Sequence, residues 1–133
     1  KDVGNTQPLV MHGYDQFLAL AHNGHIVNGK ELYTMLQKQG VLFHSLVDSE
    51  ILMHLIAYEG RGSTEERIER MMNMVMGSYA LVIMDNKSMI GVRDPWGIRP
   101  LVLGKLGNSY MLASESCAFN TIGATRVRDI EPG

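Results

Sequence analysis

The tetrapeptide His22-Asn23-Gly24-His25 has the residue types of an oxyanion hole. The Asn23 side chain offers an amide N–H, and no side chain shields the backbone N–H of Gly24, so both can donate to one developing negative charge. The tetrapeptide directly follows residues 17–21, an apolar run that reads as a buried strand ending in a polar elbow. A plain Asn-Gly turn is the alternative, because such turns are common.

A second polar cluster, Asp48-Ser49-Glu50, comes just before an apolar pattern of helical period. A carboxylate at the start of a helix can hold the ammonium group of a substrate, which makes Asp48 a candidate binding residue. The same carboxylate can equally serve as an ordinary helix N-cap. The cluster alone leaves both interpretations open.

The histidines and the cysteine give weaker signals. The spacing of the five histidines matches no standard metal motif, since His22 and His25 flank an Asn-Gly pair instead of lying four residues apart on a helix. We therefore predict no metal site. Cys117 is the only cysteine, which excludes an internal disulfide. Its apolar context, with no His or cation beside it in sequence, favours a structural role over a nucleophilic one.

The segment Arg93-Asp94-Pro95-Trp96-Gly97-Ile98-Arg99-Pro100 forms a charged loop that its prolines make rigid. It either binds an anion or locks two hairpins together by ion pairing, and its composition favours neither. The sequence contains no G-x-x-x-x-G-K-[ST] and no G-x-G-x-x-G motif, so a glycine-rich phosphate loop has no support.

Composition excludes several classes of protein. The chain has 133 residues, with 12 Lys and Arg against 14 Asp and Glu, and no basic block that could neutralise nucleic-acid phosphates. Its apolar runs are far shorter than the roughly 18 residues of a membrane-spanning helix. These features predict a single soluble unit without a nucleic-acid or membrane partner. The lone cysteine fits a cytoplasmic location.

Three helices that position the polar clusters are predicted from capping signals and apolar stripes. Their start signals are Asn28 with Glu31, Asp48 or Ser49, and Ser63 with Glu66. Their stop signals are Gly40, Gly60 with Gly62, and Gly77.

From residue 79 onward the apolar period changes to that of strands. Residues 79–84 with 89–92 and residues 101–106 with 110–113 predict two hairpins. A short helix over 114–122 and a strand over 126–130 follow, and a short extended stretch is predicted near the start, over 8–11. This order predicts an α+β fold in which helices pack on an at least partly antiparallel sheet.

Five motifs in this order resemble the class II glutamine amidotransferases. They are Ala21-His22-Asn23-Gly24, Asp48-Ser49-Glu50, Gly77-Ser78-Tyr79-Ala80, the segment from Arg93 through Pro100 to Leu101, and Ala113-Ser114-Glu115-Ser116. The segments Asn5-Thr6-Gln7-Pro8 and Arg128-Asp129-Ile130-Glu131-Pro132-Gly133 narrow the resemblance to the glutaminase domain of the amidophosphoribosyltransferase family. The resemblance covers essentially the whole chain.

The resemblance implies an N-terminal-nucleophile hydrolase with an αββα sandwich. In that family an N-terminal cysteine attacks the glutamine amide and its own α-amino group is the base. By resemblance, Asn23 and Gly24 form the oxyanion hole, and Asp48 and His22 bind substrate, Asp48 through the glutamine α-ammonium. The ammonia displaces pyrophosphate from phosphoribosyl pyrophosphate, giving 5-phosphoribosylamine in the first committed step of de novo purine synthesis.

The match also implies what this chain lacks. It opens with Lys1 and contains neither the family's N-terminal cysteine nor the upstream segment, so we expect residues 1–133 to be an incomplete glutaminase domain, without the nucleophile segment and the phosphoribosyltransferase domain, and inactive alone. No cofactor is expected in the fragment, whereas the full-length family uses Mg²⁺ and in some members an iron–sulfur cluster. A homo-oligomer is the expected assembly.

Two alternatives remain. Asparagine synthetases share the His-Asn-Gly and Arg-Asp patterns, but they more often have Cys where Ser49 stands. A non-catalytic binding module that kept the fold and lost its nucleophile is the other, and it predicts that the natural polypeptide has no N-terminal cysteine.

Overall fold

The chain has a mixed α and β fold, as the sequence predicts. The computed structural model describes residues 6–14, 16–58 and 61–133. Within these residues the elements are, in chain order, β1 (Leu9–His12), β2 (Phe17–Ile26), α1 (Gly29–Lys38), α2 (Asp48–Tyr58), α3 (Thr64–Met74), β3 (Gly77–Asp85), β4 (Met89–Arg93), β5 (Val102–Leu106), β6 (Ser109–Ala113), α4 (Cys117–Ile122) and β7 (Thr125–Asp129).

The strands form two antiparallel sheets. The first has the order β1-β2-β3-β4 and the second the order β6-β5-β7. Both predicted hairpins are confirmed, β3 with β4 and β5 with β6, and so are the short helix α4 and the last strand β7. No helix within the described ranges is long and apolar enough to cross a membrane.

Strand β2 is longer than the sequence predicts, and this corrects both the predicted polar elbow and the alternative Asn-Gly turn. Asn23 pairs with Ala80 and Gly24 with Tyr79, so these residues continue the strand and form neither an elbow nor an Asn-Gly turn. Gly24 has φ +150°, and a Cβ there would lie 2.0 Å from the carbonyl oxygen of Ser78. Glycine therefore lets β2 and β3 approach closely where a turn was predicted.

The predicted capping pair at α1 is wrong. The side chain of Asn28 makes no cap hydrogen bond to α1. Its amide instead donates to the carbonyl oxygen of Met74 at 2.9 Å and accepts from the backbone N–H of Met76 at 2.9 Å. Asn28 thus joins the start of α1 to the connection between α3 and β3.

Two other helix signals, at the start of α3 and at the end of α1, are confirmed, whereas the predicted cap of α2 is not, because the side chains of Asp48 and Ser49 bond to residues outside that helix. Ser63 accepts from the N–H of Glu66, whose carboxylate accepts from the N–H of Ser63, so the capping box of α3 is confirmed. Gly40, with φ +91°, follows the end of α1 as predicted. The predicted stop at Gly60 lies outside the described residues.

The main core lies between α1–α3 and the first sheet, and its buried members include Leu20, Leu36, Leu52, Ile56 and Leu81. On the other side of that sheet, a Cβ at Gly91 in β4 would lie 3.0 Å from a methyl group of Leu112 in β6. A smaller core forms where Phe119 of α4 packs over Gly104 of β5, leaving no room for a Cβ. The two sheets therefore contact each other at a small residue, and α4 covers the second sheet.

Candidate active site

The second half of β2 forms an open sheet edge. Strand β1 pairs with residues 17–20 of β2, and no described strand continues this pairing along residues 21–26. Two N–H groups on this edge donate to side chains instead. The N–H of His22 donates to Oε1 of Gln7 at 2.6 Å, and that of Ile26 donates to Oδ2 of Asp48 at 3.0 Å.

The N–H of Gly24 points out of the same edge. Its partner Tyr79 uses its own backbone groups toward the other side, because its N–H donates to Asp94 Oδ2 at 3.2 Å and its carbonyl accepts from the N–H of Asp94 at 2.9 Å. Gly24 and Tyr79 are therefore a non-hydrogen-bonded pair, whose N–H groups point away from each other. Among the described residues, no side chain accepts from the N–H of Gly24.

Asn23 and His22 lie on opposite faces of the sheet, since side chains alternate along a strand. His22 is on the face covered by α2. Asn23 is on the other face and is exposed, and its side-chain amide makes no hydrogen bond with the described residues. The Asn23 amide and the adjacent Gly24 N–H are therefore both available to a ligand at this edge.

Asp48, the first residue of α2, binds the edge of β2 and does not cap its own helix. Its Oδ2 accepts from the N–H of Ile26 and lies 2.9 Å from Nδ1 of His25. Its Oδ1 accepts no hydrogen bond from a described residue and lies 3.4 Å from the place where a Cβ on Gly29 would be. The carboxylate borders a cavity of about 520 Å³.

Ser49 links α2 to two residues at the open edge, His22 and Gln7. Its buried hydroxyl lies 3.3 Å from Nδ1 of His22 and accepts from Nε2 of Gln7 at 3.3 Å. Burial lowers the pKa of His22 although the nearby Asp48 charge raises it, so the ring is neutral near pH 7. The ring lies against α2, and its substrate-binding role stays a prediction.

Glu50 fixes the segment that leads into α2. Its buried carboxylate accepts from the N–H of His44 at 2.7 Å, from the N–H of Ser45 at 2.7 Å and from the Ser45 hydroxyl at 2.6 Å. Burial opposes its ionisation, but these hydrogen bonds outweigh burial and lower the pKa of Glu50. Each residue of the Asp48-Ser49-Glu50 cluster thus has a different partner, and together they place α2 against the open edge.

The charged loop after β4 is locked, but not by the predicted ion pairs. The guanidinium of Arg93 donates to the carbonyl oxygens of Arg99 at 2.8 Å, Ile130 at 2.8 Å and Gly97. The fully buried Asp94 accepts from backbone N–H groups, among them those of Tyr79, Trp96 and Ile98. Both charges hold backbone groups, so the donors of the Arg93 guanidinium are not free to bind an anion.

Cys117 is exposed at the start of α4, which contradicts the apolar surroundings predicted for it. Its Sγ lies 3.6 Å from a carboxylate oxygen of Glu115. In the part of the chain that the structure describes, no three His, Cys, Asp or Glu side chains cluster closely enough to hold a metal ion.

Sequence reasoning missed three residues of this site. Gln7 and His25 contact the edge through side chains whose roles depend on β2 continuing past Ala21, and Glu50 acts on a segment that precedes its own helix. The acidic pair around Ser49 was the available signal for Glu50.

The chain is similar in sequence to known proteins over most of its length. Residues 1–121 match a family described as the glutamine amidotransferase domain. The chain is 43% identical over 130 residues to an amidophosphoribosyltransferase of Bacillus subtilis (strain 168), covering 97% of this chain and 27% of that protein. An amidophosphoribosyltransferase of Staphylococcus epidermidis (strain RP62A) is 40% identical over 134 aligned positions, covering 100% of this chain and 27% of that protein. The chain thus spans about a quarter of the length of these relatives.

Solved structures give the same result. Glutamine phosphoribosylpyrophosphate amidotransferase from B. subtilis, in complex with ADP and GMP, matches with a TM-score of 0.93 and 43% identity over 98% of this chain and 29% of that one. A structure described as the allosteric regulatory enzyme of purine biosynthesis matches with a TM-score of 0.92 and 43% identity, covering 97% of this chain and 28% of that one. The chain belongs to the glutamine amidotransferase domain family.

Proposed function

We propose that this chain is the glutamine-hydrolysing part of an amidophosphoribosyltransferase. In that role it binds glutamine and releases ammonia, which displaces pyrophosphate from phosphoribosyl pyrophosphate and yields 5-phosphoribosylamine for purine synthesis. The names of the relatives support this assignment. We further propose that residues 1–133 are part of a glutaminase domain within a longer cytoplasmic homo-oligomer.

The observation that carries the proposal is the spacing of open groups along β2. The N–H groups of Gly24 and Ile26 lie two residues apart on one edge, or roughly 6.7 Å at the usual rise of a strand, and the Asp48 carboxylate accepts from the second of them. In extended glutamine, five bonds of about 1.5 Å separate the amide oxygen from the α-nitrogen, or roughly 6 Å. Glutamine therefore fits along the edge with its amide at Gly24 and its ammonium at Asp48, whereas asparagine is one bond shorter.

The chemistry proposed for these residues is stabilisation of negative charge on the amide oxygen. When a nucleophile attacks the amide carbon, the oxygen becomes an oxyanion, and the Asn23 amide and the Gly24 N–H donate to it. The strand holds the Gly24 N–H in place before the reaction, so little reorganisation is needed. By resemblance to the family, the nucleophile is an N-terminal cysteine, and exposed Cys117 on α4 does not take that part.

The layer order supports an αββα sandwich. Helices α1–α3 cover one face of the first sheet, its other face contacts the second sheet at Gly91, and α4 covers the second sheet at Gly104. The described residues contain no cluster of ligands that would hold Mg²⁺, and the single cysteine of the chain cannot supply the thiolates of an iron–sulfur cluster. We propose that any such group is held elsewhere in the whole enzyme.

The test uses the natural polypeptide that carries this sequence. Its mature N-terminus is read by intact mass and fragment-ion sequencing, and glutamate and pyrophosphate are measured with glutamine and phosphoribosyl pyrophosphate supplied. We expect an N-terminal cysteine and coupled formation of both products. A different N-terminus with no glutamate formed would remove the catalytic proposal and favour a non-catalytic binding module.

A pair of variants tests the oxyanion hole. Loss of one oxyanion donor typically costs about 10²- to 10³-fold in kcat, and we expect this for Asn23→Ala. Asn120→Ala, at an exposed asparagine on α4, is the matched control and should keep the kcat of the parent. Equal kcat values for the two variants would exclude Asn23 from the oxyanion hole.

A further inference from the structure

We propose that His25 is a positioning residue that fixes the Asp48 carboxylate so that only Oδ1 is presented to the α-ammonium of the substrate. The inference rests on the proposed function, because it concerns the same glutamine site. It adds a residue whose role is to orient Asp48 and not to contact substrate.

The number of hydrogen bonds that each oxygen of Asp48 accepts supports this role. A carboxylate only accepts, so Nδ1 of His25, 2.9 Å away, must be the protonated ring nitrogen. Oδ2 then accepts two hydrogen bonds, from His25 and from the N–H of Ile26 at 3.0 Å. These fill both lone pairs of Oδ2, whereas Oδ1 is bonded by no described residue. A ligand cation is therefore directed to Oδ1.

Packing does not hold the His25 side chain next to Asp48. The hydrogen bond between them is therefore what fixes their relative orientation. The His25 side chain is 75% exposed, compared with 23% for Asp48. The terminal torsion of an aspartate is broad, so a carboxylate held only by the Ile26 N–H can turn and share either oxygen with that group. With both donors in place, the plane of the carboxylate is fixed before the substrate arrives.

The surroundings of Oδ1 fit this role. Gly29 of α1 borders Oδ1 and has no side chain to cover it. The adjoining cavity is also lined by Lys30 and Tyr33, and Lys30 is its one lysine or arginine. Ser49 is directed toward His22 and Gln7, so it does not compete for Asp48. The arrangement leaves Asp48 as the acidic residue that lines this cavity.

The test compares His25→Ala and His25→Asn in the natural polypeptide. The side-chain nitrogen of asparagine lies at the same distance along the side chain as Nδ1 of histidine, so it can keep the hydrogen bond. Loss of one positioning hydrogen bond predicts a rise of about 3- to 10-fold in the KM for glutamine for His25→Ala, with kcat within about 2-fold. His25→Asn should restore the KM. His12→Ala, at an exposed histidine on β1, is the control and should leave both constants unchanged.

Two further readouts separate this inference from the proposed function. Asp48→Asn in the same assay reports whether glutamine uses Asp48 at all. A raised KM for Asp48→Asn with an unchanged KM for His25→Ala would overturn the positioning role and leave the proposed function standing. If the parent does not hydrolyse glutamine, the proposed function fails, and ¹⁵N NMR of the His25 ring still decides the contact. A protonated Nδ1 that is lost in Asp48→Ala supports it, and an unprotonated Nδ1 in the parent overturns it.

Discussion

The two ends of the first sheet use similar polar groups in opposite ways. At the end formed by Asp85, the hydroxyl of Thr64 donates to Oδ2 at 2.5 Å, and the backbone N–H groups of Lys87 and Ser88 donate to Oδ1 at 2.8 and 2.7 Å. The carboxylate is saturated by the protein. At the end formed by Gly24, a backbone N–H, an exposed amide and one oxygen of Asp48 face open space.

This difference separates structural polar groups from functional ones. Folded proteins satisfy almost all of their buried polar groups, so a positioned group without a partner calls for an explanation. The saturated Asp85 has reached its final partners and can only stabilise the fold. The groups near Gly24 are held by the backbone but remain unbonded, as a binding site requires.

The largest expected effect comes from adding a single methyl group between β2 and β3 near the open edge. Gly24→Ala places a Cβ 2.0 Å from the Ser78 carbonyl oxygen at φ +150°, which should cost about 3 kcal/mol or more of unfolding free energy. Gly107→Ala is the control, with φ +59° and open space around it, and should cost about 1 kcal/mol. Urea unfolding measures both, and equal losses would show that β2 does not need the close approach at Gly24.

A smaller effect, on binding alone, is expected from Asp48→Asn. Losing the charge that holds an ammonium should cost about 1.5 to 3 kcal/mol, or roughly 10- to 100-fold in the KM for glutamine. Stability should change little, because the amide oxygen can still accept from Ile26. Asp129→Asn, at an exposed residue of β7, is the matched control. A large loss of stability with an unchanged KM would instead make Asp48 a structural residue like Asp85.

The sequence was sufficient to predict the helices and strands but not the open edge of β2. Ser63 with Glu66 predicted the start of α3 because a capping box is a local signal, and the hairpins followed from the alternation of apolar residues. The end of β2 was placed too early because His22 and Asn23 are polar and an Asn-Gly pair usually turns. Only the pairing of Gly24 with Tyr79 on a distant strand decides otherwise.

The sequence named candidate residues for the site but not their arrangement. Asn23, Gly24 and Asp48 were named from motif order, yet their spacing along one strand depends on β1 ending opposite Leu20. The roles of Gln7 and His25 also depend on this edge. Such contacts join residues up to 42 positions apart, and no local pattern reports them.

The closed end provides the matching stability test. Thr64→Val keeps the shape of the side chain but removes the hydroxyl, which donates to Asp85 and accepts from Nη2 of the buried Arg67 at 3.2 Å. Two charged groups each lose a partner, so we expect a loss of about 2 kcal/mol in urea unfolding near pH 7. Thr125→Val, on exposed β7, should stay within about 0.5 kcal/mol of the parent. Glutamine binding should be unaffected, because the change lies at the opposite end of the sheet from Asp48.

The smallest expected effect is the pH dependence of that same end. The hydrogen bond from Thr64, with those from Lys87 and Ser88, outweighs burial and lowers the pKa of Asp85 from 3.8 to about 2. A carboxyl group whose pKa is lower in the folded state stabilises the protein above its unfolded pKa, and this contribution is lost as the pH falls through the folded pKa. The expected loss between pH 4 and pH 2 is about 1 kcal/mol, reduced from the full shift because Asp85 is half-exposed.

Asp85→Asn should remove this pH-dependent contribution, so the difference in unfolding free energy between parent and variant should shrink across this range. Thr64→Val should make the unfolding free energy depend less on pH over this range, because it removes the largest cause of the shift in the pKa of Asp85. Parallel curves for parent and Asp85→Asn would mean that the closed end is no more saturated than the open one.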